Sequence, residues 1–223
     1  MSGLVLQHGD WGPPGVLGDW AAERGVLLRV HRTDLEPQMP TLNGHAFVAS
    51  LGSPHNPTDS QVPEIPAELE LLEEAVEREV PVLGLCFGGQ MLAKVLGGQI
   101  EHAPAPELGW VEIETDAPEL VPAGPWLTWH FDRFTLPPGA RELARTPVAV
   151  HAFAHGPHLA TQFHPEATVD IVRKWANADR NQRRTGGVDG DALLDAGAHH
   201  AEGAVRAAYQ LFDAFWDRLR RSE

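Results

Sequence analysis

The chain has 223 residues, of which 43% are hydrophobic, and carries a formal net charge of −14 at pH 7. The acidic balance argues against nucleic acid or an anionic membrane surface as a partner, because both are bound through clustered Lys and Arg. A single cysteine excludes an intrachain disulfide and is typical of a reducing compartment. No signal peptide opens the chain, and no apolar run approaches the roughly 20 residues of a membrane span, so we expect a cytoplasmic protein.

The first half of the chain alternates short apolar runs with helical patterns. Runs at residues 4–7, 26–30 and 45–51 predict three strands, with a short helix between the first two. A helix is also predicted at residues 66–79, where leucines line one face and six glutamates cover a face interpreted as solvated. Strands that alternate with helices imply a mostly parallel sheet with helices on both faces.

Residues 81–98 join an apolar run to a helical pattern, with Cys86 at the junction. Gly84 and Gly88 flank the thiol as G-x-C-x-G, the cysteine form of a nucleophile elbow, in which small residues permit a strained turn. Unpaired N–H groups at a helix start favour a thiolate and can hold an oxyanion. A lone cysteine is more often a buried apolar residue, but the flanking glycines and the strand-to-helix switch favour a nucleophile here.

The second half is predicted to hold antiparallel strands followed by two helices. The strands lie at residues 111–115, 127–131, 148–154 and 158–163, the last two forming a hairpin. The helices lie at residues 168–178 and 198–219, with a polar, glycine-rich loop at residues 181–190 between them. We expect these strands to extend the parallel sheet.

A thiol nucleophile needs a base, and the base needs an orienting group. His164 ends the last predicted strand, and Glu166 follows two residues later. A carboxylate there can accept a hydrogen bond from one imidazole nitrogen while the other nitrogen faces the thiol. A His-x-Glu pattern alone is more often a surface feature, but the elbow earlier in the chain makes a Cys–His–Glu triad the favoured interpretation.

The segments GLCFGGQ and QFHPE resemble the class I, triad-type glutamine amidotransferase family. The resemblance covers most of the chain and extends to three further segments, at residues 52–54, 107–110 and 129–132. It is strongest to free-standing proteins similar to the glutaminase domain of GMP synthase. Together with the element pattern, it predicts an α/β fold: a single flavodoxin-like domain over residues 1–223, with a mostly parallel central sheet, helices on both faces and appended antiparallel strands.

The resemblance also implies roles for individual residues. Cys86 is the implied nucleophile, His164 the general base and acid, and Glu166 the residue that orients His164. An oxyanion hole is implied from the backbone N–H of Phe87 and from the Gly52-Ser53 turn, with Ser53 as the expected donor. The family usually has Gly-Gly-Pro at this turn, and serine can replace glycine only where the backbone dihedrals are not restricted to glycine. Three implied substrate contacts complete the set: Gln90, His130 and Asp132.

The predicted activity is hydrolysis of the glutamine side-chain amide through a γ-glutamyl thioester, with ammonia passed to a separate synthase subunit. No P-loop or nucleotide-binding glycine fingerprint occurs, so ATP-dependent acceptor chemistry is expected on another chain, and no cofactor is predicted. Two alternatives remain open. One is a stand-alone hydrolase of γ-glutamyl amides or peptides, and the other is a non-catalytic binding or regulatory module with a vestigial triad.

Four histidines in and beside the predicted hairpin suggest a metal site. They are His151, His155, His158 and His164. Their spacing is that of a β-hairpin, without the Cys or Asp cluster that accompanies zinc-type spacing. Surface or site-lining histidines are therefore the favoured interpretation, and the sequence predicts no metal site.

Overall fold

A computed structural model describes residues 1–36, 38–182 and 189–221. The middle of the predicted loop, residues 183–188, therefore lies outside the described residues. The elements of the first half are β1 (Ser2–Gln7), α1 (Val16–Arg24), β2 (Leu27–Arg32), β3 (Phe47–Ser50), α2 (Glu64–Glu77), β4 (Val82–Leu85) and α3 (Phe87–Val95). Those of the second half are β5 (Ile100–Val111), β6 (Glu114–Thr115), β7 (Trp126–Phe134), β8 (Arg141–Arg145), β9 (Val150–His155), β10 (His158–Thr161), α4 (Val169–Gln182) and α5 (Gly190–Arg221).

Within the described residues, eight strands form the main sheet, in the order β2-β1-β3-β4-β10-β9-β8-β6. The first five strands in that order run parallel, which is the strand order of flavodoxin-like folds. β9, β8 and β6 continue the sheet with antiparallel pairing. The predicted α/β class, with antiparallel strands added to a parallel sheet, is confirmed.

Part of the second half differs from the prediction. β5 and β7 pair with each other in a separate two-stranded sheet, whereas we expected the strands at 111–115 and 127–131 to join the main sheet. The predicted strand at 111–115 is divided, since Val111 ends β5 and only Glu114–Thr115 forms β6. β5 carries Pro104 and Pro106, which lack an N–H donor, and its register with β7 shifts in that region. β8 was not predicted, and α5 begins at Gly190 rather than at residue 198.

Apolar side chains cover both faces of the main sheet, as predicted. Trp20 of α1 and Phe212 of α5 belong to the core on one face. Leu72 of α2 and Met91 of α3 belong to the core on the other. Full burial of one such side chain contributes about 1.5–3 kcal/mol. Nowhere in the described ranges is a helix both long and apolar enough to cross a bilayer.

The parallel strands place the predicted site residues at one edge of the sheet. β1, β3, β4 and β10 run in the same direction, so the segments that follow them meet at their carboxyl ends. In open α/β sheets, ligands bind in the crevice at this edge.

Candidate active site

Cys86 occupies a strained turn between β4 and α3. Its backbone dihedrals are φ 52° and ψ −104°, a region that residues other than glycine rarely adopt and that costs about 1–3 kcal/mol. Two hydrogen bonds hold the turn: the Cys86 N–H donates to the Thr161 carbonyl at 2.8 Å, and the Gln90 N–H donates to the Cys86 carbonyl at 2.9 Å. The predicted elbow is therefore present, and it leaves the thiol beside the start of a helix.

The glycines around Cys86 allow the first turn of α3 to lie directly on neighbouring backbone. A Cβ atom on Gly84 would lie 2.5 Å from the Gly88 carbonyl oxygen, and one on Gly89 would lie 2.5 Å from that of Thr161. A Cβ on Gly88 would overlap the Ser50 carbonyl oxygen. Close packing of backbone on backbone, rather than flexibility, explains the glycine-rich segment.

His164 and Glu166 meet as the sequence predicted. The imidazole Nδ1 lies 2.8 Å from Oε1 of Glu166, and both side chains are buried. The chain around them is fixed, because the His164 N–H donates to the Leu127 carbonyl at 2.8 Å and the Val16 N–H donates to the Glu166 carbonyl at 3.0 Å. With Nδ1 occupied by the carboxylate, Nε2 is the nitrogen left for proton exchange with a thiol.

Cys86 and His164 are electrostatically coupled. Burial lowers the pKa of the His164 imidazole, but Cys86 and Glu166 raise it by more, to about 10. The imidazole is therefore protonated at neutral pH in the presence of a thiolate. Nε2 of Gln162 also donates to the Cys86 sulfur at 3.6 Å. We did not single out Gln162 from the sequence, although it opens the QFHPE segment.

The Gly52-Ser53 turn follows β3 and lies against the elbow. The Gly88 N–H donates to the Leu51 carbonyl at 3.2 Å, which ties the start of the turn to α3. Ser53 does not have a positive φ, so serine takes this position without strain, and its Oγ accepts a hydrogen bond from the His55 N–H at 3.2 Å. The condition for serine to replace the family's glycine is thus met.

Two backbone N–H groups at the cavity are without a partner in the described part of the chain. Among the described residues, the N–H groups of Ser53 and Phe87 make no hydrogen bond, and both residues line the same cavity as Cys86. A Cβ on Gly52 would lie 3.0 Å from Cε1 of His164. Glycine at this position therefore lets the imidazole approach the turn.

A buried polar cluster lies beneath the turn. The two imidazole nitrogens of His8 lie 3.3 Å from the Gly52 carbonyl and 2.6 Å from a Glu68 carboxylate oxygen. Ser50 Oγ donates to the other oxygen of Glu68 at 2.5 Å. Burial lowers the pKa of His8, but Glu68 raises it by more, so the net shift is upward. Glu68 is 0% exposed, so placing all six glutamates of the predicted helix on a solvated face was wrong for Glu68.

A cavity of about 520 Å³ opens above the elbow. Almost every predicted site residue lines it: Gly52, Ser53, Cys86, Phe87, Gln90, His130, Asp132 and His164. Glu166 stands behind His164. Nε2 of Gln90 donates to the Asp132 carbonyl at 2.9 Å, and Nδ2 of Asn56 donates to the Asp132 carboxylate at 2.6 Å. The side chains implied as substrate contacts are thus held in one wall.

Three tryptophans form another part of the cavity lining: Trp11, Trp129 and Trp175. Trp129 belongs to the segment at residues 129–132 that the family resemblance included, whereas Trp11 and Trp175 were not predicted. The ring of Trp175 meets the imidazole of His164 edge to face, with centroids 4.6 Å apart, and its Nε1 donates to the Trp11 carbonyl at 2.8 Å. Trp175 comes from α4, and no local motif marks it, so only the packing of α4 reveals its place.

His130 also belongs to a second buried group. Its Nε2 lies 3.1 Å from Oε2 of Glu107, and Nε2 of His151 lies 2.9 Å from the same oxygen. Burial raises the pKa of Glu107, but the two imidazoles lower it further, so that it lies well below its usual range. Burial lowers the pKa of His130.

Fold and site together define a class of protein: α/β proteins with a cysteine elbow and a His–Glu pair at the carboxyl edge of the sheet. A sequence model described as Glutamine amidotransferase class-I matches residues 19–173, which is more than half of the chain. The chain therefore belongs to the class I glutamine amidotransferase family.

Curated relatives carry the name GMP synthase (glutamine-hydrolyzing). The protein from Nitrosomonas eutropha is 31% identical over 169 residues, which cover 68% of this chain and 31% of the relative. The one from Rhodopseudomonas palustris is 35% identical over 170 residues, which cover 70% and 30%. This chain spans less than a third of the length of these two relatives.

Solved structures share the fold over nearly the whole chain. A glutamine amidotransferase from Thermotoga maritima superposes with a TM-score of 0.88 at 24% identity, covering 96% of this chain and 97% of that one. A glutamine amidotransferase from Methylobacillus flagellatus superposes with a TM-score of 0.86 at 26% identity, covering 96% and 94%. The mostly parallel sheet with its added antiparallel strands is therefore the fold of known glutamine amidotransferases.

Proposed function

We propose that this protein hydrolyses the side-chain amide of glutamine and releases ammonia for a separate synthase. The observation that carries the proposal is the position of one imidazole between two partners. His164 contacts the Glu166 carboxylate at 2.8 Å, and Cys86 and Glu166 together raise the pKa of His164 to about 10. This arrangement suits a cysteine nucleophile with a general acid beside it. Membership of the class I family supports the same chemistry.

In the first step, the Cys86 thiolate attacks the amide carbon of glutamine. The negative charge that develops on the amide oxygen is stabilised by the N–H groups of Phe87 and Ser53, each worth about 10²–10³ in rate. His164 protonates the departing nitrogen, the C–N bond breaks, and ammonia leaves a γ-glutamyl thioester on Cys86. The neutral imidazole that remains is the base that the second step needs.

In the second step, His164 takes a proton from a water molecule that attacks the thioester carbon. The C–S bond breaks, glutamate leaves, and the thiolate–imidazolium pair is restored. Glu166 holds the ring in one orientation through both steps. We further propose Gln90, His130 and Asp132 as substrate contacts, since all three line the cavity with Cys86.

The names of the relatives support an ammonia acceptor. The curated relatives are named GMP synthase (glutamine-hydrolyzing), and this chain spans less than a third of their length. The separate synthase is part of the proposal and is tested below through proteins that stimulate glutamine turnover.

A second candidate function is hydrolysis of a larger γ-glutamyl amide without any partner. The cavity of about 520 Å³ with its tryptophan lining favours it, because pockets of roughly 300–1,000 Å³ bury ligands larger than an amino acid. In this case the leaving group is an amine with an apolar substituent, rather than ammonia. The triad acts in the same way.

Glutamate release tests both functions. Purified protein is assayed on glutamine and on a γ-glutamyl anilide, with and without proteins that co-purify from native extract, and C86A serves as the variant without the thiol. We expect C86A to lose release from either substrate while its circular dichroism is unchanged. Partner-stimulated glutamine turnover supports the first function, and partner-independent anilide cleavage supports the second. Undiminished release by C86A contradicts both, and absence of release in every condition supports a non-catalytic module.

A further inference from the structure

Three buried side chains from three strands converge beside the catalytic cavity. Glu107 comes from β5, His130 from β7 and His151 from β9, and their exposed fractions are 8%, 3% and 0%. Their potential ligand atoms all lie within 4.8 Å of one another. The cluster joins the small sheet to the main sheet, and the proposed triad makes no use of Glu107 or His151.

The contacts inside the cluster leave nitrogen atoms unsatisfied. Nε2 of His151 is hydrogen-bonded to Oε2 of Glu107 at 2.9 Å. Nε2 of His130 lies only 3.1 Å from the same oxygen, yet neither ring nitrogen of His130 has a hydrogen-bond partner among the described residues. A buried polar atom without a partner is costly. Nε2 of His130 and Oε2 of Glu107 are therefore close together but not aligned for a hydrogen bond. Both atoms could instead be ligands of one atom placed between them.

The donor set fits a metal ion as that third atom. Two imidazoles and one carboxylate are the protein ligands of known zinc sites that keep one position open. Bonds of about 2.0–2.2 Å place neighbouring ligand atoms of a tetrahedral site about 3.3 Å apart, so the observed 2.9 and 3.1 Å separations need only a small outward shift. Nδ1 of His151 also has no partner within the described ranges, so a proton can move there and leave Nε2 to bind the ion.

We propose that Glu107, His130 and His151 bind a divalent transition-metal ion of the zinc type, with water from the cavity as the fourth ligand. His130 lines the cavity as well as the cluster, so the proposed site adjoins the cavity. The sequence favoured site-lining histidines because the hairpin alone offers no carboxylate ligand. Glu107 and His130 complete the site from two strands that are distant in the chain.

The bound ion has a structural consequence. It links β5 and β7 of the small sheet to β9 of the main sheet, and it fixes the ring of His130 in the cavity wall. An ion that binds the folded chain and not the unfolded one raises the melting temperature in a concentration-dependent way.

Cobalt absorption on the full chain, stripped of metal by a chelator, tests the proposal without any substitution. We expect one equivalent of Co²⁺ to give the visible bands of a tetrahedral nitrogen and oxygen site, and Zn²⁺ to displace it. A charge-transfer band from a thiolate would place the ion on Cys86 and overturn the proposal. So would the absence of stoichiometric binding.

Variants locate the site by calorimetric titration with Zn²⁺. H151Q and E107Q each remove one ligand, and we expect each to weaken binding by at least about 10-fold. H155Q is the matched control on β9, and C86A removes the thiol; both retain the wild-type affinity. Wild-type affinity in H151Q and E107Q overturns the proposal, and if either variant fails to fold, the cobalt spectrum of the unaltered chain still decides. The test needs no glutamine hydrolysis, so its outcome is independent of the proposed function.

Discussion

At the scale of single residues, the sulfur of Cys86 is surrounded by groups from the QFHPE segment and from the elbow itself. Gln162 donates a hydrogen bond to it, the protonated ring of His164 is coupled to it, and the free N–H of Phe87 follows it directly. The strained φ of Cys86 is maintained by glycine contacts that no larger residue permits. We interpret this cost in backbone energy as the means of placing the proposed nucleophile at the cavity.

The role of Glu166 gives the first residue-level prediction. In the proposed mechanism His164 carries the proton that releases ammonia, so activity is expected to fall as the pH rises through the His164 pKa, about 10 in the free protein. E166Q removes one of the two groups that raise this pKa, so the alkaline limb of kcat/KM moves to lower pH. The substitution also lowers kcat by about 10²–10⁴-fold, because the ring loses its fixed tautomer.

The pH profile of glutamate release, measured for both proteins, checks this prediction. E119Q is the matched control, since Glu119 is exposed and lies outside the cavity lining. An alkaline limb that stays in place in E166Q would contradict the assigned role of Glu166.

Gly52 gives a second prediction. In G52A the added Cβ would lie 3.0 Å from Cε1 of His164, so the ring or the turn has to give by a few tenths of an ångström. Displacement of a catalytic group by about 1 Å can cost about 10²-fold in rate, so we expect this smaller shift to lower kcat by about 10-fold or less. G18A makes the same change in helix α1, where a Cβ meets only ordinary contacts, and is expected to keep full activity. Equal activity of G52A and G18A would show that His164 does not depend on this close approach.

At the scale of elements, the cluster of His8, Ser50 and Glu68 connects β1, β3 and α2 beneath the Gly52-Ser53 turn. His8 also packs its ring edge against Phe87, with centroids 4.8 Å apart. One buried carboxylate thus positions both sides of the predicted oxyanion hole. In E68Q one of the two carboxylate oxygens becomes an NH2 group, so either His8 or Ser50 loses its buried acceptor, which is destabilising.

Replacing Glu68 by Gln is expected to lower the free energy of unfolding by about 1–3 kcal/mol near pH 6. The pKa of His8 in the folded protein lies above the ordinary value of 6.5. The contribution of protonated His8 to stability is therefore complete below pH 6.5 and is lost as the pH rises through the raised pKa. The stability difference between wild type and E68Q should therefore narrow with rising pH. His164 has a shift of the same sign but is present in both proteins and cancels.

Urea unfolding at several pH values measures this difference. E70Q is the control, because Glu70 belongs to the same helix and is exposed; it should match wild type at every pH. A difference between wild type and E68Q that grows as the pH rises would rule out the buried pair.

The same elements show what the sequence can and cannot predict. The elbow at Cys86 was predictable because its glycines and its strand-to-helix switch are local features. The burial of Glu68 was not, since the pattern of α2 marks it as one glutamate among six and its partner His8 lies in another element. The pairing of β5 with β7 was also missed, because Pro104 and Pro106 interrupt the alternation that identifies a strand.

At the scale of the whole molecule, the parallel strand order explains why distant segments meet. The loop after β1, the turn after β3, the elbow after β4 and the segment after β10 all lie at the carboxyl edge of the sheet. Alternating strands and helices imply parallel strands, whose carboxyl ends share one edge of the sheet, so the sequence could predict that these segments lie at the same edge. Trp175 could not be placed in this way, because its contact with His164 depends on how α4 packs.

The proposed enzyme depends on a nucleophilic Cys86 in a cavity that recognises glutamine. Incubation with an electrophilic glutamine analogue, followed by mass spectrometry of the intact chain and its peptides, tests this most directly. We predict a single adduct on Cys86 that excess glutamine prevents and that H164A greatly slows. An unmodified Cys86, or an adduct whose rate glutamine does not affect, would contradict the proposed enzyme.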